Sequence, residues 1–228
     1  MSIAERLASV RAEIDDACRA AGRDPAAVRL LPLSKYHGPD QIREAHAAGY
    51  SLFGENKVQE LAAKHAELAG EGIGFAVIGH VQTNKAKAVA ELAAELHSLD
   101  SLRLAEALQR RLEQLGHRLP VLIQVNTSHE EAKSGIALED AVTFARELSS
   151  FDALEARGLM TMAINSPDVT AVAACFSSLV EAQSRIRDSA GGGWDELSMG
   201  MSSDFRIAIA HGATTVRLGT AVFGPRGY

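Results

Sequence analysis

The chain alternates short β-prone runs with helical patterns, and this alternation constrains the fold more than any other feature. Eight apolar runs recur along the sequence, at residues 28–33, 50–53, 75–78, 96–99, 120–125, 154–160, 194–199 and 215–218. Most of them are apolar on both faces, as strands buried inside a parallel sheet must be. Eight strand–helix units predict an α/β fold, a single (β/α)8 TIM barrel. An open doubly wound sheet is the alternative, but no G-x-G-x-x-G motif follows the first run.

Helical patterns fill the segments before and between these runs. An extra N-terminal helix is expected, because apolar residues recur every three or four positions at Ile3, Leu7, Val10, Ile14 and Cys18. Ser2 and Glu5 fit a capping box at its start. Two further stripes are formed by Leu102, Ala105, Leu108, Leu112 and Leu115, ending at Gly116, and by Val172, Phe176, Leu179 and Ile186. No linker or repeat interrupts the pattern, so we expect a single domain over residues 1–228.

Composition narrows the classes of function. The chain has 228 residues with 46% apolar and 23% charged, which is typical of a globular protein. The net charge of -6 argues against nucleic acid as a partner, because phosphate binding needs a basic face. Two cysteines, Cys18 and Cys175, are too few for a disulfide scaffold and suggest reduced thiols in the cytoplasm. No apolar stretch is long enough for a membrane span, and the histidines lack metal-ligand spacing.

Polar residues follow the predicted strands, where the active sites of such barrels lie. Lys35 follows the first run, Asn56 the second and His80 the third. A lysine directly after a buried strand could be desolvated and nucleophilic, as a Schiff base requires, although a solvated loop lysine is the commoner case. His80 could serve as an acid–base group, but a lone histidine is more often a hydrogen-bonded structural residue.

The loops after the seventh and eighth runs are candidates for a phosphate site, which barrels often build there. Gly200 and Ser202 in one loop, and Gly219 and Thr220 in the other, offer backbone amides and hydroxyl groups. Ordinary turn chemistry explains the same residues equally well. Arg217, if buried, needs a partner, and an ion pair with a barrel carboxylate such as Glu55 is one option.

Seven segments together resemble the pyridoxal phosphate homeostasis protein family. They are L-S-K at 33–35, F-G-E-N at 53–56, I-G-H-V-Q-T-N-K at 78–85, K-S-G at 133–135, G-L-M-T-M at 158–162, L-S-M-G-M-S-S-D-F at 197–205 and V-R-L-G-T-A-V-F-G at 216–224. They span almost the whole chain in the right order. Two departures are visible, since Tyr36-His37 stands where a threonine is expected and Lys57 replaces a commoner aromatic residue.

The resemblance implies a barrel like the N-terminal domain of alanine racemase that binds pyridoxal 5′-phosphate (PLP). Lys35 matches the lysine that forms an aldimine with PLP, and Arg217 matches the arginine that faces the pyridine nitrogen. Ser202, Gly219 and Thr220 match the phosphate-binding positions. Asn56 and His80 match positions near the cofactor, and Ser198 and Met199, from the S-M-G-M-S segment, join the set of expected cofactor-binding residues.

These expectations favour cofactor buffering or delivery over efficient turnover. An arginine opposite the pyridine nitrogen favours an unprotonated ring, which weakens the ring as an electron sink. An alanine racemase would carry a second domain with another base, whereas only residues 219–228 follow the eighth run. We therefore expect a monomer that binds PLP, with PLP-dependent apo-enzymes as candidate partners and without a membrane or nucleic-acid partner.

Two alternatives remain open at the level of sequence. One is a weak or specialised PLP-dependent amino-acid racemase. The other is a Schiff-base aldolase, which would use the same lysine and phosphate loops without a cofactor.

Overall fold

The strands form a nearly closed barrel of parallel strands. In the computed structural model, residues 1–128, 130, 134–190 and 193–225 are described, so Lys133 of the K-S-G segment and the last three residues lie outside the described part. The strands are β1 (Arg29–Pro32), β2 (Leu52–Glu55), β3 (Gly74–Val77), β4 (Glu95–Leu99), β5 (Leu119–Asn126), β6 (Ile136–Ala137), β7 (Leu154–Met160), β8 (Glu196–Ser198) and β9 (Thr215–Leu218). Their spatial order is β1-β9-β8-β7-β5-β4-β3-β2, and the two-residue β6 pairs with β5 outside this path.

The barrel closes where β1 meets β2, and this seam is thin. Leu33 and Gly54 form an isolated parallel bridge, and the Ser34 amide donates a 3.0 Å hydrogen bond to the Gly54 carbonyl. Any Cβ at position 54 would lie 2.4 Å from a methyl carbon of Leu33. Glycine at this position therefore allows the two strands to approach.

Helices cover the outside of the barrel. They are α1 (Ile3–Ala20), α2 (Pro39–Ala47), α3 (Val58–Glu67), α4 (Ala86–Leu92), α5 (Leu102–Leu115), α6 (Ala141–Leu148), α7 (Val169–Ala190), α8 (Phe205–Ala210) and α9 (Thr220–Phe223). The extra helix α1 begins with the expected capping box of Ser2 and Glu5 and buries the five apolar residues of its predicted face. The four residues of the α7 stripe are buried as well.

The (β/α)8 prediction is confirmed, with local differences. The second strand ends at Glu55 and not at residue 53, so the Glu55 side chain belongs to the strand and is fully buried. On α5 the prediction for Leu115 is wrong, because its side chain is 45% exposed. This residue occupies the last helical turn before Gly116, which ends the helix in the left-handed conformation with φ of 70°. Strand β6 was not predicted, since its two residues give no periodic signal.

Candidate functional site

A cavity of about 120 Å³ opens at the carboxyl ends of the strands. It brings together four of the residues that the sequence singles out, Lys35, Asn56, His80 and Arg217. The rest of its lining consists of Leu33, Ile78, Gly79, Gln124, Ser134, Met160, Met162 and Met201. The apolar walls and few polar groups are typical of a small-molecule site.

Lys35 extends from the turn after β1 and is half-buried. Among the described residues, none accepts a hydrogen bond or forms an ion pair with its amine. The turn itself is held from α3: the buried Lys64 amine donates to the Ser34 carbonyl at 2.7 Å, and Glu60 accepts from the Tyr36 amide at 3.3 Å. Tyr36 takes the left-handed conformation with φ of 65°. The backbone around Lys35 is thus fixed while its amine faces the cavity unpaired.

The buried Glu55 pairs with Lys64 and not with Arg217. One carboxylate oxygen, Oε1, accepts from the Lys64 amine and from the Ser34 hydroxyl, each at 2.5 Å. The other oxygen, Oε2, is buried and has no partner in the described part of the chain. Burial raises the pKa of Glu55, and the hydrogen bonds from Lys64 and Ser34 oppose this increase. The suggested Arg217–Glu55 ion pair is therefore wrong, because the Glu55 carboxylate pairs with Lys64 of α3 instead.

Arg217 lies on β9 with only 2% of its surface exposed. Its Nη1 donates to the Ser198 carbonyl at 2.6 Å and to the Ser198 hydroxyl at 2.9 Å, and its Nη2 donates to the Thr161 carbonyl at 2.8 Å. Burial lowers the pKa of Arg217 to about 10, an effect that the charge of Asp204 opposes, so the guanidinium stays protonated at neutral pH. A guanidinium has five N–H groups. Two of them have no acceptor among the described residues, and Arg217 lines the cavity.

A series of hydrogen-bonded polar side chains inside the barrel reaches Arg217 through Ser198. His97 Nδ1 lies 3.1 Å from the Ser198 hydroxyl, and its Nε2 lies 2.7 Å from a Glu95 oxygen. Arg29 donates to both oxygens of Glu95, at 2.7 and 2.9 Å. Burial raises the pKa of Glu95, but hydrogen bonds from His97 and Arg29 outweigh this and lower it to about 2. Ser198, expected near the cofactor, lies in this buried series and orients Arg217 from behind the cavity wall.

His80 stands at the cavity mouth in contact with a carboxylate. Its Nδ1 lies 2.8 Å from an oxygen of Asp100. The imidazole is 54% exposed, whereas the Asp100 side chain is only 10% exposed. The loop that carries His80 is held by the Ser98 hydroxyl, which donates to the Gly79 carbonyl at 2.7 Å. A nearly buried carboxylate thus fixes the orientation of an accessible imidazole.

The two expected phosphate loops lie side by side. The Arg217 amide donates to the Gly200 carbonyl at 2.9 Å, which joins the loop after β8 to the end of β9. Ser202 is exposed in the first loop, while Gly219 is half-buried and Thr220 exposed at the start of α9. Asp204 secures the first loop by accepting from the Met201 amide at 2.6 Å. None of these three expected phosphate-binding residues is in the described lining of the 120 Å³ cavity.

Met199 lies outside the cavity lining, and Gln124 belongs to the lining although the sequence analysis did not single it out. Met199, expected near the cofactor, is fully buried and outside the described cavity lining. Gln124 was missed, although it lines the cavity from β5 and its buried Oε1 has no partner among the described residues. Its Nε2 donates to the Ser134 carbonyl at 2.9 Å. A glutamine inside the otherwise apolar run 120–125 was the signal that could have revealed it.

The two departures from the family pattern meet at one place on the surface. The Lys57 amine lies 5.8 Å from the centre of the Tyr36 ring, within range of a cation–π contact. His37 instead points into the protein, where its ring stacks on Phe223 at 4.9 Å. Tyr36 and Lys57 are therefore exposed beside each other on the surface, whereas His37 is buried.

Cys18 and Cys175 are both buried and unpaired. Within the described ranges, no group of three or more His, Cys, Asp or Glu side chains is arranged to hold a metal ion. No helix in the part of the chain that the structure describes combines the length and apolarity needed to cross a membrane.

Comparison with known proteins assigns the family. Residues 6–227 match the family model of the alanine racemase N-terminal domain. The chain is 44% identical over 230 residues to the pyridoxal phosphate homeostasis protein of Pseudomonas aeruginosa, covering all of this chain and 97% of that protein. PipY of Synechococcus elongatus, solved without PLP, has a TM-score of 0.88 at 37% identity. Its structure with PLP bound has a TM-score of 0.85 at 36% identity, and both alignments cover 98% of this chain and 100% of PipY. The chain therefore belongs to the alanine racemase N-terminal domain family and, within that family, to the pyridoxal phosphate homeostasis proteins.

Proposed function

We propose that this protein binds PLP at Lys35 and serves in PLP homeostasis, by buffering the cofactor or delivering it. One observation carries the proposal: Lys35, Arg217 and Gln124 line the same cavity, and within the described residues the Lys35 amine, two N–H groups of Arg217 and Oε1 of Gln124 have no partner. Buried polar groups are normally hydrogen-bonded, so this set indicates that a ligand completes it.

The donors and acceptors of the cavity fit PLP. A primary amine can bond with an aldehyde, and the guanidinium N–H groups can donate to a ring nitrogen that carries no proton. Bound PLP supplies an electron-withdrawing ring that stabilises negative charge on a substrate carbon. Because Arg217 only donates and remains protonated, it disfavours a protonated ring and restrains this chemistry. The site suits storage of the cofactor better than turnover.

The remaining residues take supporting roles in the proposal. The phosphate group is assigned to the loops of Ser202, Gly219 and Thr220, which adjoin the end of β9. Asn56 would lie beside the cofactor, and His80 would stand at the mouth of the cavity. Ser198 would act from the buried side by orienting Arg217, and Met199 would pack in the core behind the cavity lining.

The relatives support the biological role. The Pseudomonas aeruginosa relative is named a pyridoxal phosphate homeostasis protein, and PipY was solved with PLP bound. For this chain we propose a single domain over residues 1–228, a monomer in the cytoplasm, and PLP-dependent apo-enzymes as acceptors. The net charge of -6 is consistent with protein and small-molecule partners.

Absorption spectroscopy with purified protein and added PLP tests the proposal. We expect a visible band from lysine-bound PLP, which Lys35→Ala removes and the control Lys87→Ala retains, because Lys87 is exposed on α4. Borohydride reduction followed by peptide mapping should place the label on Lys35. A band that survives in Lys35→Ala would refute the assignment, and a protein that stays colourless while reacting with a phosphorylated sugar would favour an aldolase.

A further inference from the structure

The imidazole of His80 has the geometry of an acid–base group next to Lys35. Asp100 accepts a hydrogen bond from His80 Nδ1 at 2.8 Å, and an ionised carboxylate can only accept. The proton of the neutral ring therefore lies on Nδ1. Nε2 is left with a free lone pair, and no described residue donates to it.

This ring is placed between Lys35 and the solvent. His80 lines the 120 Å³ cavity together with Lys35 and Asn56. A second cavity of about 210 Å³ shares His80 and Asn56 with the first, and its other walls include Lys57, Gln82 and Lys85. His80 therefore lines the cavity that contains Lys35 as well as the second cavity, and its imidazole, 54% exposed, can exchange a proton with water.

Binding of an aldehyde by a lysine requires proton transfer. The Lys35 ammonium must lose a proton before its nitrogen can form a bond to the aldehyde carbon. As that C–N bond becomes a C=N bond, the C–O bond breaks, and the oxygen leaves as water with two protons that came from the nitrogen. Release of the aldehyde by water reverses each of these changes. Without a nearby base and acid, these transfers limit both rates.

We propose that the His80–Asp100 pair is the general acid–base group for loading and release of the aldehyde ligand at Lys35. Nε2 takes one proton from the Lys35 nitrogen and returns it to the departing oxygen, and Asp100 stabilises the imidazolium formed in between. The inference rests on the proposed PLP function and deepens it, because it identifies how a storage protein would exchange its cargo quickly without binding it less tightly.

The rate constants and the dissociation constant of PLP together distinguish an acid–base role of His80 from a simple binding contact. A catalyst lowers the barrier equally in both directions, so it leaves the dissociation constant unchanged. General acid–base groups contribute about 100-fold to 10,000-fold. In His80→Gln we expect the loading and release rates of PLP to fall by the same factor, at least about tenfold. The dissociation constant should stay within about twofold of the wild-type value. Asp100→Asn should show the same pattern with a smaller effect, because the amide can still orient the ring.

Stopped-flow absorption at the band of lysine-bound PLP measures loading, and dilution into an aldehyde trap measures release. His65→Gln is the control, since His65 is a partly exposed residue of α3 outside both cavities. A change in the dissociation constant with only one rate affected would make His80 a ligand contact and overturn the proposal. Unchanged rates would overturn it equally. Absence of the band in the wild type would instead refute the proposed function itself.

A second measurement uses the protein without PLP. Nitrogen-15 NMR of the histidine rings should show His80 Nε2 as the unprotonated nitrogen in the neutral ring, and Asp100→Asn should weaken that preference. A proton on Nε2 would remove the lone pair that the proposal requires.

Discussion

Replacement of Lys64 by methionine tests the energetics of the turn that carries Lys35. Lys64 compensates the charge of Glu55, a residue with no exposed surface, through a 2.5 Å contact. Removing one partner of such a buried pair leaves an uncompensated charge and costs about 3–5 kcal/mol. A domain of this kind is stable by only about 5–15 kcal/mol, so Lys64→Met should remove a large share of its stability.

Urea denaturation followed by circular dichroism measures this loss. Lys57→Met is the matched control at the N-cap of the same helix, α3, because the Lys57 side chain is 62% exposed and its amine lies 3.9 Å from Glu60. An exposed pair of this kind contributes about 0–1 kcal/mol. The double variant Lys64→Met with Glu55→Gln should recover much of the loss, since it removes the buried charge and keeps an acceptor for the Ser34 hydroxyl.

The pH dependence adds a signed test. Burial already raises the pKa of Glu55 above its usual 4.5, and Lys64 is the largest opposing contribution. In Lys64→Met the pKa of Glu55 should rise further, so the folded state holds the proton more tightly than the unfolded state. The stability deficit should therefore be smaller near pH 5 than near pH 8. A loss below about 1 kcal/mol, or one equal to that of Lys57→Met, would refute the reasoning.

Three further predictions follow from the same structure. Glu95→Gln should cost about 3–4 kcal/mol at neutral pH, because the folded-state pKa of about 2 lies below the usual 4.5. The difference from wild type in acid unfolding should shrink as the pH falls from 4.5 towards 2, and a constant difference would contradict this prediction. Arg217→Gln should weaken PLP binding by about tenfold or more in a spectroscopic titration, since the ligand loses its charged donor, and an unchanged affinity would argue against this contact. Gly200→Ala should destabilise the fold by more than about 1 kcal/mol in thermal unfolding, because φ is 96° and the new Cβ would lie 2.7 Å from Ala208; Gly22→Ala, at a φ of 66° in open space, should cost less.

Local features of the fold could be predicted from the sequence because they depend on near neighbours in the chain. The capping box of Ser2 and Glu5 and the buried stripe of α1 are set within a few residues. Strand positions followed from apolar runs with β-prone residues. The short β6 and the exposed Leu115 were not predicted, because pairing with β5 and the packing at a helix end depend on tertiary structure.

The site was predictable only in part. The carboxyl-end rule placed Lys35, Asn56, His80 and Arg217 correctly around one cavity. It could not reveal partners on distant segments: His97 meets Ser198 across 101 positions of sequence. Such contacts arise from the curvature of the barrel, which brings non-adjacent strands face to face.

The thin seam between β1 and β2 has a consequence for local opening of the barrel. A single bridge at Leu33 and Gly54, with one hydrogen bond from Ser34, joins these strands. Amide hydrogens along this edge should therefore exchange with deuterium sooner than those of β5 and β7, which share a six-residue register. Lys35 follows this seam directly, and Arg217 lies on β9, on the other side of β1. A ligand that contacts Lys35 after β1 and Asn56 after β2 would connect the two strands across the seam, so loading should slow deuterium uptake there.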